Sequence, residues 1–182
     1  MKKYSRLIVC LMMACMMFSS TAYALFSDHV ENPDAILKDL KSHPEAYIRY
    51  GGRSTGFSFY IEKASIDVQK YAPPEYVIAV RKIIHSDNGM RKEYHKERIV
   101  DDTILRFAYD YTTRNMFVEK KDENGNIVWQ YLDPSKADDY EYYQNGLQQM
   151  LSAGECAFYL AYNMSFYDQP VSYAFRKYLN EL

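Results

Sequence analysis

The spacing of hydrophobic residues changes along the chain. An unbroken apolar run from Leu7 to Phe18 comes first, apolar and polar residues alternate between Tyr47 and Leu132, and from Asp138 apolar residues recur every three or four positions. A period of two puts successive side chains on opposite faces of a strand, and a period of three to four lines one side of a helix. The chain therefore predicts a β region followed by a helical tail.

Local signals divide these regions. Asn32-Pro33-Asp34 supplies a cap, a proline at the first helical position and an early acid, so a helix is predicted from about Pro33 to Lys41, ending before Pro44. Phe57 to Ile61, Ser65 to Val68, a longer run from Tyr76 and Ile104 to Tyr109 read as strands, the last turning through Thr112-Thr113-Arg114-Asn115 into Met116. Two Asn-Gly pairs predict two-residue hairpin turns. Asn88-Gly89 would set Arg81 opposite Lys96, Ala79 opposite Arg98, Val80 opposite Glu97 and Ile78 opposite Ile99. Asn124-Gly125 would set Lys120 opposite Trp129, Val118 opposite Tyr131 and Phe117 opposite Leu132. After Asp133-Pro134 the helical pattern runs through Leu147, Met150, Leu151, Gly154, Phe158, Ala161 and Tyr162, with Gly154 a candidate break into two helices. A last helix is expected from Tyr173 to Leu179. The predicted fold class is α+β: an antiparallel meander of about five to seven strands, with a short N-terminal helix and a C-terminal helical segment packed on it.

The first apolar run has a different meaning. Lys2, Lys3 and Arg6 precede it and Ser19-Ser20-Thr21-Ala22-Tyr23-Ala24 closes it, the three parts of a secretory signal with cleavage after Ala24. Met12-Met13-Ala14-Cys15 leaves lipid attachment at Cys15 as the alternative. Residues 25–182 are then one extracytoplasmic domain, in the periplasm, on the outer surface or secreted, with no segment of the roughly 20 apolar residues needed to span a membrane. Three of the 22 basic residues and none of the 24 acidic ones fall in the signal, which leaves a net charge of −5 on the mature chain. An acidic chain without basic blocks does not fit nucleic acid. Cys10 and Cys15 leave with the signal, so no internal disulfide is possible, and Cys156, in Cys156-Ala157-Phe158-Tyr159-Leu160-Ala161, is expected to be a buried thiol. Seventeen tyrosines remain, which suits strands and half-buried faces as well as recognition surfaces.

The order of elements between about Phe57 and Pro134 resembles the surface-adhesin protein E family of Gram-negative bacteria. The matching features are Phe59-Tyr60-Ile61 followed by Ser65-Ile66, a long hairpin with Glu97-Arg98, the Asp110 to Asn115 turn, and Asp122-x-Asn124-Gly125-x-Ile127 before a final strand and a helical tail. The resemblance implies an exported sheet with helices on it that binds host or matrix proteins. This chain departs from the pattern in having no cysteine pair and a longer Tyr-rich tail from Tyr140.

Candidate chemistry is sparse. In the expected hairpin Arg81, His85, Lys92, Lys96 and Arg98 share one face, a basic stripe that needs either an anionic partner or nearby acids such as Glu62 or Glu119. Arg81, Lys96 and Arg98, with Tyr140, Tyr142 and Tyr143, form the expected partner-binding set. His95 and Glu97 supply at most two metal ligands, and no HExxH or CxxC motif accompanies them, so no metal is expected. Asp122-Glu123-Asn124-Gly125 reads as a turn rather than a calcium loop. Gly51-Gly52 lacks the strand and helix context of a phosphate loop, and neither Cys156 nor any Ser carries a nucleophile signature. The sequence thus predicts no catalytic residue and no cofactor. It predicts an adhesin-like module for a host, matrix or envelope protein, with a homodimer open through an uncovered edge strand. Two alternatives stand beside it. A periplasmic carrier or scaffold would hold a small apolar or aromatic ligand between sheet and C-terminal helix, against Met150, Phe158, Tyr162 and Trp129. An enzyme would require His95, Glu97 and Cys156 to converge.

Overall fold

A computed structural model describes residues 32–53, 56–86 and 97–181. The expected signal segment, and the Asn88-Gly89 turn with residues 90–96 after it, lie outside the described residues.

Helix α1 (Pro33–Ser42) begins where its cap predicts: the Asn32 side chain accepts from Ala35 N at 3.1 Å, and the helix stops ahead of Pro44. Seven antiparallel strands follow: β1 (Tyr47–Arg53), β2 (Phe57–Glu62), β3 (Asp67–Ala72), β4 (Glu75–Ser86), β5 (Arg98–Asp110), β6 (Asn115–Lys121) and β7 (Ile127–Leu132). They form one sheet in the order β1-β2-β4-β5-β6-β7, with β3 also paired to β4. β2 runs along the second half of β4 and β3 along the first half. Between them a short turn at Lys63–Ser65 interrupts the ladder, and Ser65 Oγ accepts from Arg81 N at 2.8 Å, satisfying a donor that the break would leave unpaired. The fold is the predicted α+β class, with its helices packed on an antiparallel sheet.

Both hairpin registers differ from expectation. β4 pairs with residues 98–110, so Ala79 lies opposite Arg106, Val80 opposite Leu105, Arg81 opposite Ile104 and Ile78 opposite Phe107. A tight turn at Asn88-Gly89 would have set Glu97 against Val80, which has no exposed surface. The observed register sets Leu105 and Phe107 on that buried face instead. Burying one large apolar side chain contributes roughly 1.5–3 kcal/mol, whereas each doubling of a connecting loop costs only about 0.6 kcal/mol. Burial therefore decides the pairing.

The second hairpin slips by one residue, giving Lys120 opposite Val128, Val118 opposite Gln130, Phe117 opposite Tyr131 and Met116 opposite Leu132. Its cause is Asp122, whose Oδ1 accepts from Asn124 N at 2.9 Å and Asn126 N at 2.8 Å. Gly125 takes φ 80°, and the loop closes over three residues rather than two. The slip brings Leu132 against Met116, both fully buried.

The tail forms α2 (Tyr140–Gln144), α3 (Leu147–Tyr162) and α4 (Tyr173–Asn180). The break between helices falls at Gly146, with φ 75°, and not at Gly154, which sits inside α3. Gly154 is there for contact: a Cβ on it would meet Met116 Sδ at 2.2 Å and Phe107 Cδ1 at 3.2 Å. The Tyr109 hydroxyl donates to Gly154 O at 2.9 Å across the same junction. Glu155, fully buried, accepts from Val171 N and Ser172 N, both at 2.8 Å, and so anchors the start of α4 to α3.

The main core lies between the sheet and α3, built from Ile48, Tyr50, Ile61, Ile78, Val80, Phe107, Tyr109, Met116, Leu132, Leu151, Cys156, Phe158, Phe166 and Phe175. Cys156 is buried, as expected. Phe158 is the hub of its aromatic part, with Tyr109, Tyr162 and Phe166 rings centred 4.9–5.1 Å away. A smaller core on the reverse face joins Leu40 of α1 to Tyr47, Ile83 and Ile99. Among the described residues nothing of that kind covers the reverse face along β6 and β7, and Ile127, Trp129 and Tyr131 are exposed there.

Candidate functional site

Of the residues expected to form a basic stripe, Arg81, His85 and Arg98 are described, and Arg81 and Arg98 lie on opposite faces of the sheet. Arg81 is held by two carboxylates: its Nε and Nη2 donate to Asp102 Oδ1 and Oδ2 at 2.6 and 2.8 Å, and its Nη1 to Glu62 Oε2 at 2.9 Å. The Asp102 hydrogen bonds, with those of Glu62, raise its pKa further above the ordinary guanidinium value. Glu62 is thus the neighbouring acid that the strand pattern named. Arg98 lies opposite Ser86, whose side chain is on the other face from Arg81. His85 is buried, with Nε2 2.9 Å from Glu97 Oε1, and Glu97 also pairs with Lys41 of α1, whose ammonium lowers its pKa. Lys92 and Lys96 fall outside the described residues. Of the tyrosines, Tyr140 is exposed and Tyr142 is buried; the side chain of Tyr143 lies outside the described residues.

The pocket expected from Met150, Phe158, Tyr162 and Trp129 does not form either. Phe158 is core, Tyr162 packs on Tyr76, and Trp129 lies on the opposite face of the sheet. Glu97 and Cys156 do not converge: Glu97 faces α1, and Cys156 is enclosed in the main core, where burial pushes its thiol pKa up. His95 lies outside the described residues.

A different cavity, of about 420 Å³, opens between β1 and the helices α3 and α4. Its β1 wall is Arg49, Tyr50, Gly51 and Gly52, its α3 wall Gln148, Gln149 and Ser152, and its α4 wall Tyr173, Ala174, Lys177 and Tyr178, with Glu181 at the end. On the cavity side a Cβ on Gly51 would lie 3.6 Å from Gln149 Cγ, whereas a Cβ on Gly52 would lie 2.5 Å from Arg49 Nη2, on the face that β1 shares with Tyr60 and Ser58. Arg49 Nε donates to Gly51 O at 3.4 Å, and β1 is bulged between these residues. Across the cavity Lys177 Nζ is 3.7 Å from Glu181 Oε1, a loose and exposed pair.

Gln149 gives this cavity its chemical demand. It is 5% exposed, yet among the described residues its Oε1 has no hydrogen-bond partner. A buried acceptor left unpaired costs about 1–3 kcal/mol, which a donor from a bound molecule would recover. The lining therefore offers the Lys177 ammonium, an acceptor in need of a donor, and tyrosine rings. It contains no cysteine, histidine or paired carboxylates to drive a reaction. The signal that could have located it was Gly51-Gly52, a doublet with no phosphate-loop context that serves instead to clear space beside a strand.

No protein-family model, no curated protein and no solved structure matches this chain. Among the described residues no helix is long and apolar enough to cross a membrane, and no group of three or more His, Cys, Asp or Glu side chains could hold a metal ion.

Proposed function

We propose that this protein is an exported binding domain without catalytic activity, and that its recognition site is the cavity between β1, α3 and α4. The ligand is a small polar molecule with an anionic group and an N–H or O–H donor, of the class of amino acids, hydroxy acids and short peptides. The observation that carries this reading is that Lys177 and Gln149, whose Oε1 has no partner among the described residues, line one cavity of ligand size. The anionic group would sit at Lys177, and the donor would pair with Gln149. This keeps the location of the carrier reading, sheet against C-terminal helix, and changes the ligand from apolar to polar.

The adhesin-like reading has its own support. The exposed Ile127, Trp129 and Tyr131 form an apolar patch of the kind found at protein contacts. Protease treatment of intact and lysed cells separates the two by placing the protein on the surface or in the periplasm.

Native mass spectrometry of the protein from its own cells tests the cavity. The expected result is a bound small molecule that is lost in Lys177→Glu and in Gln149→Leu. A ligand-free spectrum, together with a melting temperature that no amino acid, hydroxy acid or dipeptide raises, would overturn the proposal.

A further inference from the structure

Strand β7 is one margin of the sheet, and no described strand pairs with its outer side. Asp122 N donates to Asn126 O at 2.9 Å, and from that point the β6–β7 register runs without a shift to Met116 and Leu132. Hydrogen-bonded and non-hydrogen-bonded pairs alternate in an antiparallel ladder. Val128, Gln130 and Leu132 therefore direct their N–H and C=O groups to β6, and Ile127, Trp129 and Tyr131 direct theirs outward. The same three residues carry their side chains on the uncovered face, with exposures of 60%, 44% and 43%. The Tyr131 ring continues onto Phe117 of β6, with centroids 5.6 Å apart.

The two margins of the sheet are treated differently. β1 is bulged between Arg49 and Gly51, bears Arg49 and is packed by α3 and α4. Bulges, charges and covering helices are the devices that keep an edge from pairing. β7 lacks the first two: over Ile127–Leu132 it holds no charge, no proline and no register shift, and α3 touches it only on the face opposite to Ile127, Trp129 and Tyr131.

We propose that β7 pairs with β7 of a second copy of this chain, antiparallel, about a two-fold axis at Trp129. A two-fold axis perpendicular to the sheet keeps the faces of the two copies aligned only when outward-directed residues meet outward-directed residues. The register that uses all three sets Trp129 against Trp129 of the second copy, and Ile127 against Tyr131 in each direction. Each of these three pairs exchanges two N–H···O bonds. The strand suits itself as a partner. Being uncharged, it brings no like charges together, and the pairing extends each Phe117–Tyr131 cluster across the junction through Ile127 and Trp129. One strand pair is a small interface, so association depends on concentration. The inference is independent of the cavity.

Sedimentation velocity on the mature chain, from low micromolar to millimolar concentration, reads the association. The expected result is a monomer that becomes a dimer as concentration rises, and a Trp129→Pro variant that stays monomeric with the wild-type circular dichroism spectrum. Proline is tolerated there because the Trp129 N–H has no partner within the monomer. Tyr131→Lys, which keeps every backbone group, gives the same readout should the proline disturb the strand. Under oxidation Trp129→Cys forms a covalent dimer, and Gln130→Cys, on the other face, does not. A monomer at all concentrations would overturn the proposal, even if an unrelated peptide bound this edge. Dimerisation undiminished in both Trp129→Pro and Tyr131→Lys would overturn it as well.

Discussion

Gly154 of α3 presses on Met116 of β6 so closely that a Cβ on the glycine would lie 2.2 Å from the methionine sulfur. In an exposed helix, glycine to alanine gains about 1 kcal/mol. Here the sign reverses, because Met116 is fully buried and its thioether must displace neighbours to yield. Gly154→Ala is expected to lose about 1–3 kcal/mol, the usual cost of overpacking. Adding Met116→Val is expected to recover most of it. Urea unfolding of the single and double variants measures both.

Arg81 lies between Asp102 and Glu62, with the Asp102 side chain only 10% exposed. Removing one partner of a buried pair costs about 3–5 kcal/mol, and the partial exposure of Arg81 lowers that to roughly 2–3 kcal/mol for Arg81→Met. Arg81→Glu sets three carboxylates together and is expected to unfold the domain, so it cannot serve as a clean test of surface binding. Thermal melts of Arg81→Met alone and with Asp102→Asn provide the check. The second substitution restores part of the loss if the carboxylate left behind is its cause.

Much of the scaffold was legible from short-range chemistry. Asn32 caps α1 as its sequence implies, Pro73-Pro74 separates β3 from β4, and the α+β order follows from the change of period. The errors were of long range. Asn-Gly preference is a local quantity; it does not register that Phe107 must lie opposite Ile78, or that Asp122 captures two backbone donors and adds a residue to the loop. Gly154 read as a helix break because the sequence does not reveal the methionine that it makes room for. The cavity was illegible for the same reason: Gln149 and Lys177 are brought together beside β1 only by the docking of α3 and α4, which Glu155 secures.

Glu155 is expected to make stability fall with rising pH. Burial raises its pKa above the ordinary 4.5, outweighing the Ser172 hydroxyl, the backbone hydrogen bonds from Val171 and Ser172 and the charge of Arg176, which act the other way. Between 4.5 and the folded value the native state keeps a proton that the unfolded chain has released, so stability declines through that window and levels off above it. The surface carboxylates Asp39 and Glu97, with pKa values lowered by hydrogen bonds from Tyr47 and Lys41, act oppositely, and their loss falls at lower pH. Glu155→Gln is expected to flatten the decline above 4.5 while costing about 1–3 kcal/mol at neutral pH, since an amide cannot accept from both Val171 N and Ser172 N as well as a carboxylate. Denaturant titrations at a series of pH values read both effects.

Cys156 is expected to be silent toward thiol reagents in the native state. It has no exposed surface and its pKa is raised by burial, so the thiolate that reacts is neither accessible nor formed. An aromatic disulfide reagent should titrate no thiol in the folded mature chain and one after denaturation.

Strand β4 has a mechanical consequence. Every described strand before it in the chain lies on one of its sides, and every one after it on the other. The two halves of the polypeptide therefore meet in the sheet along one seam, and α3 crosses that seam, touching β1, β4, β6 and β7. A pull that separates the halves loads both margins of β4 and this helix together, so the domain resists as a riveted joint rather than parting strand by strand.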